Sequence, residues 1–168
     1  MKLFNKIVDA SSIPEHKTSF SILSPLAGKV MPLENAVDTL FANRMFGDGV
    51  VIEPAGYQLL APFIGTVIEL SASGNQIRLR SENGLQLMIQ LGFDSQLMMG
   101  LGFKTKINKG QQFTTSQVLL EFDLNFMKRQ LSSVQCPVTL LNSDKIKAIV
   151  PHYYKVLAGQ DKLMTIYW

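Results

Sequence analysis

Two alternating runs separated by three residues constrain this chain more than any other feature. In QIRLRS, residues 76–81, Ile77 and Leu79 fall on one side and Gln76, Arg78 and Arg80 on the other. In LQLMIQL, residues 85–91, Leu85, Leu87, Ile89 and Leu91 oppose Gln86, Met88 and Gln90. Alternation is the period of a half-buried strand, and Glu82-Asn83-Gly84 between the runs predicts an antiparallel hairpin. A two-residue Asn-Gly turn would place Arg78 opposite Ile89 and mix charge into the apolar side, which a buried face forbids. A three-residue loop with Gly84 left-handed instead pairs Gln76 with Gln90, Arg78 with Met88 and Arg80 with Gln86. One face is then wholly aliphatic, and Gln90, Met88 and Arg78 share the outward one.

The rest of the chain is read the same way. SFSIL, GVVIEP, GTVIELS, QVLLEFD, CPVTLLN and KLMTIYW are short, rich in β-branched and aromatic residues, and bounded by Gly, Pro, Asn or Ser. Helical signals are confined to Asp38–Phe46, Leu124–Leu131 and Ser143–Ile149, the last with Ser143 as N-cap. SPLAGKV at 24–30 recurs as APFIGTV at 61–67, with Pro, Gly and Val at matching offsets, which suggests two related hairpins packed as pseudo-symmetric halves. The expected fold is mainly β: an antiparallel sandwich or barrel-sandwich with a few short helices. It occupies residues 20–168 as one domain, which 168 residues suit. Residues 1–19 are expected to form an amphipathic segment and linker. Leu3, Phe4, Ile7 and Val8 share one helical face beside Lys2 and Lys6, the pattern of a helix lying on an anionic membrane surface.

Composition removes several function classes. No apolar run is long enough to span a bilayer. A net charge of +3 without a Lys/Arg cluster among aromatics gives no nucleic-acid footprint. The single Cys136 forms no intrachain disulfide, in keeping with a reducing cytoplasm and, through the N-terminal segment, the inner membrane face. The two histidines, His16 and His152, lie far apart in sequence and supply no paired metal ligands, so neither a metal nor another cofactor is expected and a zinc hydrolase is disfavoured.

The segment GLQLMIQLGFDS, residues 84–95, resembles the phosphohistidine segment of the glucose-type enzyme IIA domain of the bacterial phosphoenolpyruvate:sugar phosphotransferase system. SPLAGKV, LFANRMFGDGVVIEP, LLAPFIGTVIEL, GLGFKTKINKGQQ, LEFDL and PVTLLNSDKIK agree with that family in order and spacing, from about Phe20 to Trp168. The resemblance implies a β-sandwich with a shallow apolar depression in which two histidines meet, one phosphorylated and one hydrogen-bonding the phosphoryl group. Here those positions hold Gln90 and Asn75. An imidazole nitrogen has a free lone pair and titrates near neutrality; an amide nitrogen does neither. The resemblance also places Leu40, Phe41, Met45, Phe46 and Met88 at the apolar rim and Asp38 and Asp94 at the acidic rim, while the hairpin register adds Arg78 beside Gln90.

These residues point to a non-catalytic regulatory module, similar to the permanently unphosphorylated form of the family. Its expected partners are sugar permeases, phosphotransferase components or metabolic enzymes. The alternatives are an active phosphocarrier using a non-standard residue, or a structural subunit unconnected with sugar transport.

Overall fold

The computed structural model describes residues 5–168. In chain order the strands are β1 (Ser19–Leu23), β2 (Gly28–Pro32), β3 (Gly49–Pro54), β4 (Gln58–Leu60), β5 (Gly65–Leu70), β6 (Gln76–Ser81) and β7 (Gln86–Gln90). They continue with β8 (Phe103–Thr105), β9 (Gln112–Phe113), β10 (Val118–Phe122), β11 (Cys136–Leu140), β12 (Ala148–Pro151), β13 (Lys155–Val156) and β14 (Lys162–Tyr167). Two α-helices interrupt them, α1 (Thr39–Ala42) and α2 (Leu124–Gln130). An eight-stranded sheet runs β13-β2-β3-β11-β7-β6-β5-β9, and two three-stranded sheets run β1-β14-β12 and β4-β10-β8. The large sheet stays open, so the architecture is a sandwich and not a closed barrel.

The strand orders read the same from either end. β13, β2, β3 and β11 correspond to β9, β5, β6 and β7, and β1-β14-β12 corresponds to β4-β10-β8. The repeated Pro-x-x-Gly segments lie at the centre of this pseudo-two-fold and bond to each other reciprocally. Leu23 N–H donates to Pro62 C=O (3.2 Å) and Leu60 N–H to Pro25 C=O (2.9 Å). Both glycines serve one purpose: a Cβ at Gly28 would stand 2.1 Å from the Glu53 carbonyl oxygen, and one at Gly65 2.0 Å from that of Arg80.

The hairpin has the register that its pattern requires. Gln76 pairs with Gln90, Arg78 with Met88 and Arg80 with Gln86, and Gly84 has φ +89°. Ile77, Leu79, Leu87 and Ile89 face the main core, which fills the space between the sheets. A second, smaller core lies on the opposite face of the large sheet. It joins Leu33, Ala36, Phe41, Val51, Met88 and Phe93 beneath α1 and the preceding turn.

Three sequence expectations are corrected. The helix expected over Ser143–Ile149 is a turn, closed by Ile146 N–H to Ser143 C=O at 3.0 Å, followed by β12. β14 pairs with Ala148–Pro151 along one edge, and a strand bonded there has no room to coil. The helix expected near the N-terminus is also not formed at Lys6, Ile7 and Val8. Ile7 makes a parallel bridge to Ile149; Ile149 N–H donates to Lys6 C=O (2.8 Å) and Val8 N–H to Ile149 C=O (2.9 Å). Ile7 packs against the main core and Lys6 Nζ is held by the Ser143 and Ile146 carbonyls, so these two side chains turn toward the domain. Lys2, Leu3 and Phe4 lie outside the described residues. Third, α1 is only Thr39–Ala42, because Arg44 (φ +59°) turns the chain out of the helix before Phe46.

Candidate protein-binding site

Register puts the two carboxamides of β6 and β7 side by side. Gln76 Nε2 donates to Gln90 Oε1 (3.1 Å), and Gln90 Nε2 donates to the Gly92 carbonyl (3.0 Å). Both polar atoms of Gln90 are therefore engaged. Asn75 immediately precedes β6 and is buried. Its Oδ1 accepts from Ser71 Oγ (2.9 Å) and Ser73 Oγ (2.6 Å), and its Nδ2 donates to Ser95 Oγ (3.0 Å). Ser95 Oγ in turn reaches the Gly92 carbonyl at 3.4 Å. The two amides thus converge on one backbone oxygen, Gln90 directly and Asn75 through Ser95. A buried network with its donors and acceptors matched is rigid. Gly92 is required at its centre: its φ is +75°, and a Cβ there would stand 2.7 Å from Leu131 Cδ1.

The network is made of carboxamides, serine hydroxyls and a backbone carbonyl, with no imidazole among them. The remaining nucleophiles lie elsewhere. His16 is exposed and packs edge-on against Tyr167, with ring centroids 4.7 Å apart. His152 follows β12, with Nε2 3.4 Å from Thr165 Oγ1 on the smaller sheet. Burial, and secondarily Lys162, hold its pKa below the usual imidazole value. Cys136 is buried in β11, where burial pushes its thiol up to about 12, far from a reactive thiolate. Among the described residues no group of three or more His, Cys, Asp and Glu is placed to hold a metal ion.

The expected rim residues divide. Leu40, Met45 and Phe46 are exposed apolar side chains, as a docking surface requires. Phe41 and Met88 are not at the surface. Met88 is only 2% exposed, and both belong to the second core. The alternation in LQLMIQL shows correctly that Met88 points away from the main core. What covers it, the α1 segment, comes from more than 40 residues upstream and leaves no trace in that local pattern. Phe41 instead supports the surface from below, with ring centroids 4.8 Å from Phe46 and 5.6 Å from Phe93. Asp38 caps α1, accepting from Leu40 N–H (2.9 Å) and Phe41 N–H (3.2 Å). Asp94 is exposed, with φ +58° and no capping bond, and Arg78 is exposed on β6.

One group escaped the sequence reading. Asp48 is buried, with Arg44 Nε 2.7 Å from its Oδ1 and Lys6 N–H donating to its Oδ2 at 3.1 Å; Arg44 also bonds Glu34. Arg44 lies between Phe41 and Met45, so this ion pair fixes the conformation of the exposed apolar segment. The GDG tripeptide was its signal. A Cβ at Gly47 or Gly49 would stand 2.0 Å from the carbonyl oxygen of Leu140 or Val138. Asp48 is the pseudo-two-fold counterpart of Asn75: Leu140 N–H donates to Asp48 C=O and Leu91 N–H to Asn75 C=O, both at 2.8 Å.

Comparison with known proteins agrees with this geometry. The model of the family described as phosphoenolpyruvate-dependent sugar phosphotransferase system, EIIA 1, matches residues 20–146. The chain is 27% identical over 167 residues to a phosphotransferase system glucose-specific EIIA component of Haemophilus influenzae, covering 99% of both chains. It is 33% identical over 156 residues to the N-acetylglucosamine-specific EIICBA component of Klebsiella pneumoniae, covering 92% of this chain but only 24% of that protein. A solved structure titled glucose permease IIA from Mycoplasma capricolum superposes with a TM-score of 0.82 at 20% identity, covering 89% of this chain and 96% of the other, a likeness of fold.

Proposed function

Because the chain belongs to the EIIA 1 family of the phosphoenolpyruvate-dependent sugar phosphotransferase system, we propose that it is a member that carries no phosphoryl group and acts by binding proteins. The observation behind this reading is the amide pair. Gln90 stands at the position the family resemblance gives to the phosphorylated histidine, and both ends of its side chain are tied into the fold. Adding a phosphoryl group to a docking surface brings about −1.5 to −2 charges, and burying that charge against an apolar partner is costly. Gln90 removes this switch. The surface around Leu40, Met45 and Phe46, with Asp38 and Asp94 at its edges, then stays competent for basic-rimmed apolar partners whatever the supply of phosphoenolpyruvate. Sugar permease components, other phosphotransferase proteins and metabolic enzymes are the proposed partner classes, and the cytoplasm the proposed compartment.

The test is incubation with labelled phosphoenolpyruvate and the general phosphotransferase proteins, beside a histidine-bearing EIIA component as control. The control acquires an acid-labile label, and this chain acquires none. A labelled chain that passes its phosphoryl group to a permease component overturns the reading. Repeating the labelling with His152→Gln and His16→Gln variants shows whether an imidazole outside the site is responsible.

A further inference from the structure

The three most exposed large apolar side chains of the described residues are neighbours on the loop that follows Asp94. Leu97, Met99 and Leu101 are 75%, 86% and 65% exposed. They are not the loose side of a mobile loop. Leu97 N–H donates to Asp94 C=O (3.0 Å), Met99 N–H to Gln96 C=O (3.1 Å), Leu101 N–H to Met98 C=O (3.1 Å) and Phe103 N–H to Gly100 C=O (3.3 Å). Each alternate residue is thus tied back by a short turn. Met98 between them is buried in the main core, and Met99 and Gly100 adopt left-handed φ values of +53° and +85°. The chain is bent so that Met98 anchors the loop and its neighbours point outward.

The pseudo-two-fold shows that such exposure is not imposed by the fold. The equivalent turn in the other half is closed by Ile146 N–H to Ser143 C=O, and Ile146 is buried. Lys6, Ile7 and Val8 lie beside it, along β12. At the equivalent edge, β8 has no strand on its outer side among the described residues.

Charge selects the occupant. From Ser95 to Leu120 the sequence contains Lys104, Lys106 and Lys109 and no Asp or Glu. Lys104 is exposed on β8, directly after the loop; the strand register sets it opposite Glu121, and it makes no salt bridge among the described residues. Arg129 lies over the Phe126 ring at 5.8 Å, and that ring is the surface against which Gly102 packs. Of the nearby acids, Glu121 faces Lys106 at 3.9 Å and Asp123 caps α2 by accepting from Phe126 N–H. Asp94 is exposed and opens the loop, its carbonyl accepting from Leu97 N–H. A second copy paired along β8 would bring the lysines of the two strands together, which is unfavourable. Apolar side chains at a tip with cations behind them match the acyl boundary and headgroup layer of an anionic bilayer.

We infer that the Leu97–Leu101 loop is a membrane-contact site that inserts Leu97, Met99 and Leu101 between anionic lipids, with Lys104 and Arg129 at the headgroups. The inference does not depend on whether Gln90 carries phosphate. It places a contact on this loop, apart from Lys6 and Ile7, which are docked on the domain.

The experiment is flotation of the full chain with vesicles of phosphatidylcholine alone, or with about one third phosphatidylglycerol, at about 0.1 M salt. The chain is expected to float with the anionic vesicles and only weakly with the neutral ones. The combined variant L97S/M99S/L101S is expected to cut the bound fraction at least tenfold, roughly. K104E/R129E is expected to cut it several-fold and to abolish the salt dependence. Both variants keep the parent's urea midpoint, because they change only exposed side chains. The inference is overturned if the parent does not bind, binds both vesicle types equally, or binds unchanged in the triple variant. It is equally overturned if only Leu3→Ser and Phe4→Ser abolish flotation, or if the loop residues control self-association or protein binding without any vesicle binding.

Discussion

A carboxamide and an imidazole accept and donate similar hydrogen bonds but differ in whether a nitrogen lone pair is free. That difference is testable at position 90. Gln90→His places a ring nitrogen at the junction of β7 and the Gly92 turn while Gln76 remains as a donor. The variant is expected to take label from phosphoenolpyruvate through the general phosphotransferase proteins, detectable as acid-labile phosphate, and its partner binding then becomes sensitive to phosphoenolpyruvate. Continued absence of label would mean that Asn75 or the network around it also blocks transfer. A second residue-scale expectation concerns His152. Its folded pKa is lowered by burial and by Lys162, so below the ordinary value of 6.5 the unfolded chain binds more protons than the folded one. Stability therefore declines as pH falls through that value, until the folded pKa is passed. His152→Gln should flatten this part of the urea-midpoint profile between about pH 7 and 5. If the two profiles are parallel, His152 does not contribute. That Gln90, Met88 and Arg78 share one face was legible in the sequence, because strand period and the turn fix which side chains sit together, whereas Asn75 came from the family resemblance alone. The serines that occupy Asn75 were not legible, because Ser95 lies beyond the next turn and its hydrogen bond is a tertiary one.

At the scale of elements, apolar β-branched runs were read correctly as strands even where the partner is distant, as for β1 with β14 and β11 with β3, but two segments with helical spacing were decided instead by a strand edge. In the Ser143–Ile149 segment the apolar residues Ile146 and Ile149 are three apart, which fits a helix; Ala148, Ile149 and Val150 in fact lie against β14. The same holds for Lys6–Val8, where helical spacing lost to a waiting strand edge at Ile149. The bridged Lys6–Val8 segment should therefore be separable from the rest of the fold. Ile7→Asp places a charge at the edge of the main core and undocks the segment. Amide exchange at Ile149, whose N–H donates to Lys6 C=O, is expected to accelerate at least tenfold, roughly, while Ile89 in the centre of the large sheet stays protected. Unchanged exchange at Ile149 would show that the bridge contributes little. Uniform acceleration would show that the segment holds the whole domain.

Across the whole molecule the pseudo-two-fold relates the amide site to the buried Arg44–Asp48 pair, and the two halves have diverged in how they satisfy one position. Asn75 is neutral and bonded to serines; Asp48 is charged and bonded to Arg44 and the Lys6 backbone. What they share is the crossing of the Pro-x-x-Gly segments, legible in the sequence only as a faint repeat, since three matched residues carry no record of which strands they join. Symmetry makes that crossing a quantitative matter. Gly28 and Gly65 each meet a facing carbonyl oxygen at a separation no side chain tolerates, 2.1 and 2.0 Å from the position of a Cβ. Gly28→Ala and Gly65→Ala must both push adjacent strands apart, β2 from β3 or β5 from β6. Each is expected to cost upwards of about 3 kcal/mol, read from urea denaturation. Gly84→Ala meets no atom within 4 Å and should lose only what its left-handed φ demands, about 1 kcal/mol. The comparison separates two uses of glycine. If Gly84→Ala proved as damaging as Gly65→Ala, whose φ is not positive, close approach would not be the larger of the two costs. If Gly28→Ala were tolerated while Gly65→Ala was not, the two halves would not share one packing constraint, and the sheet would be held together chiefly from the side that carries Asn75 and Gln90.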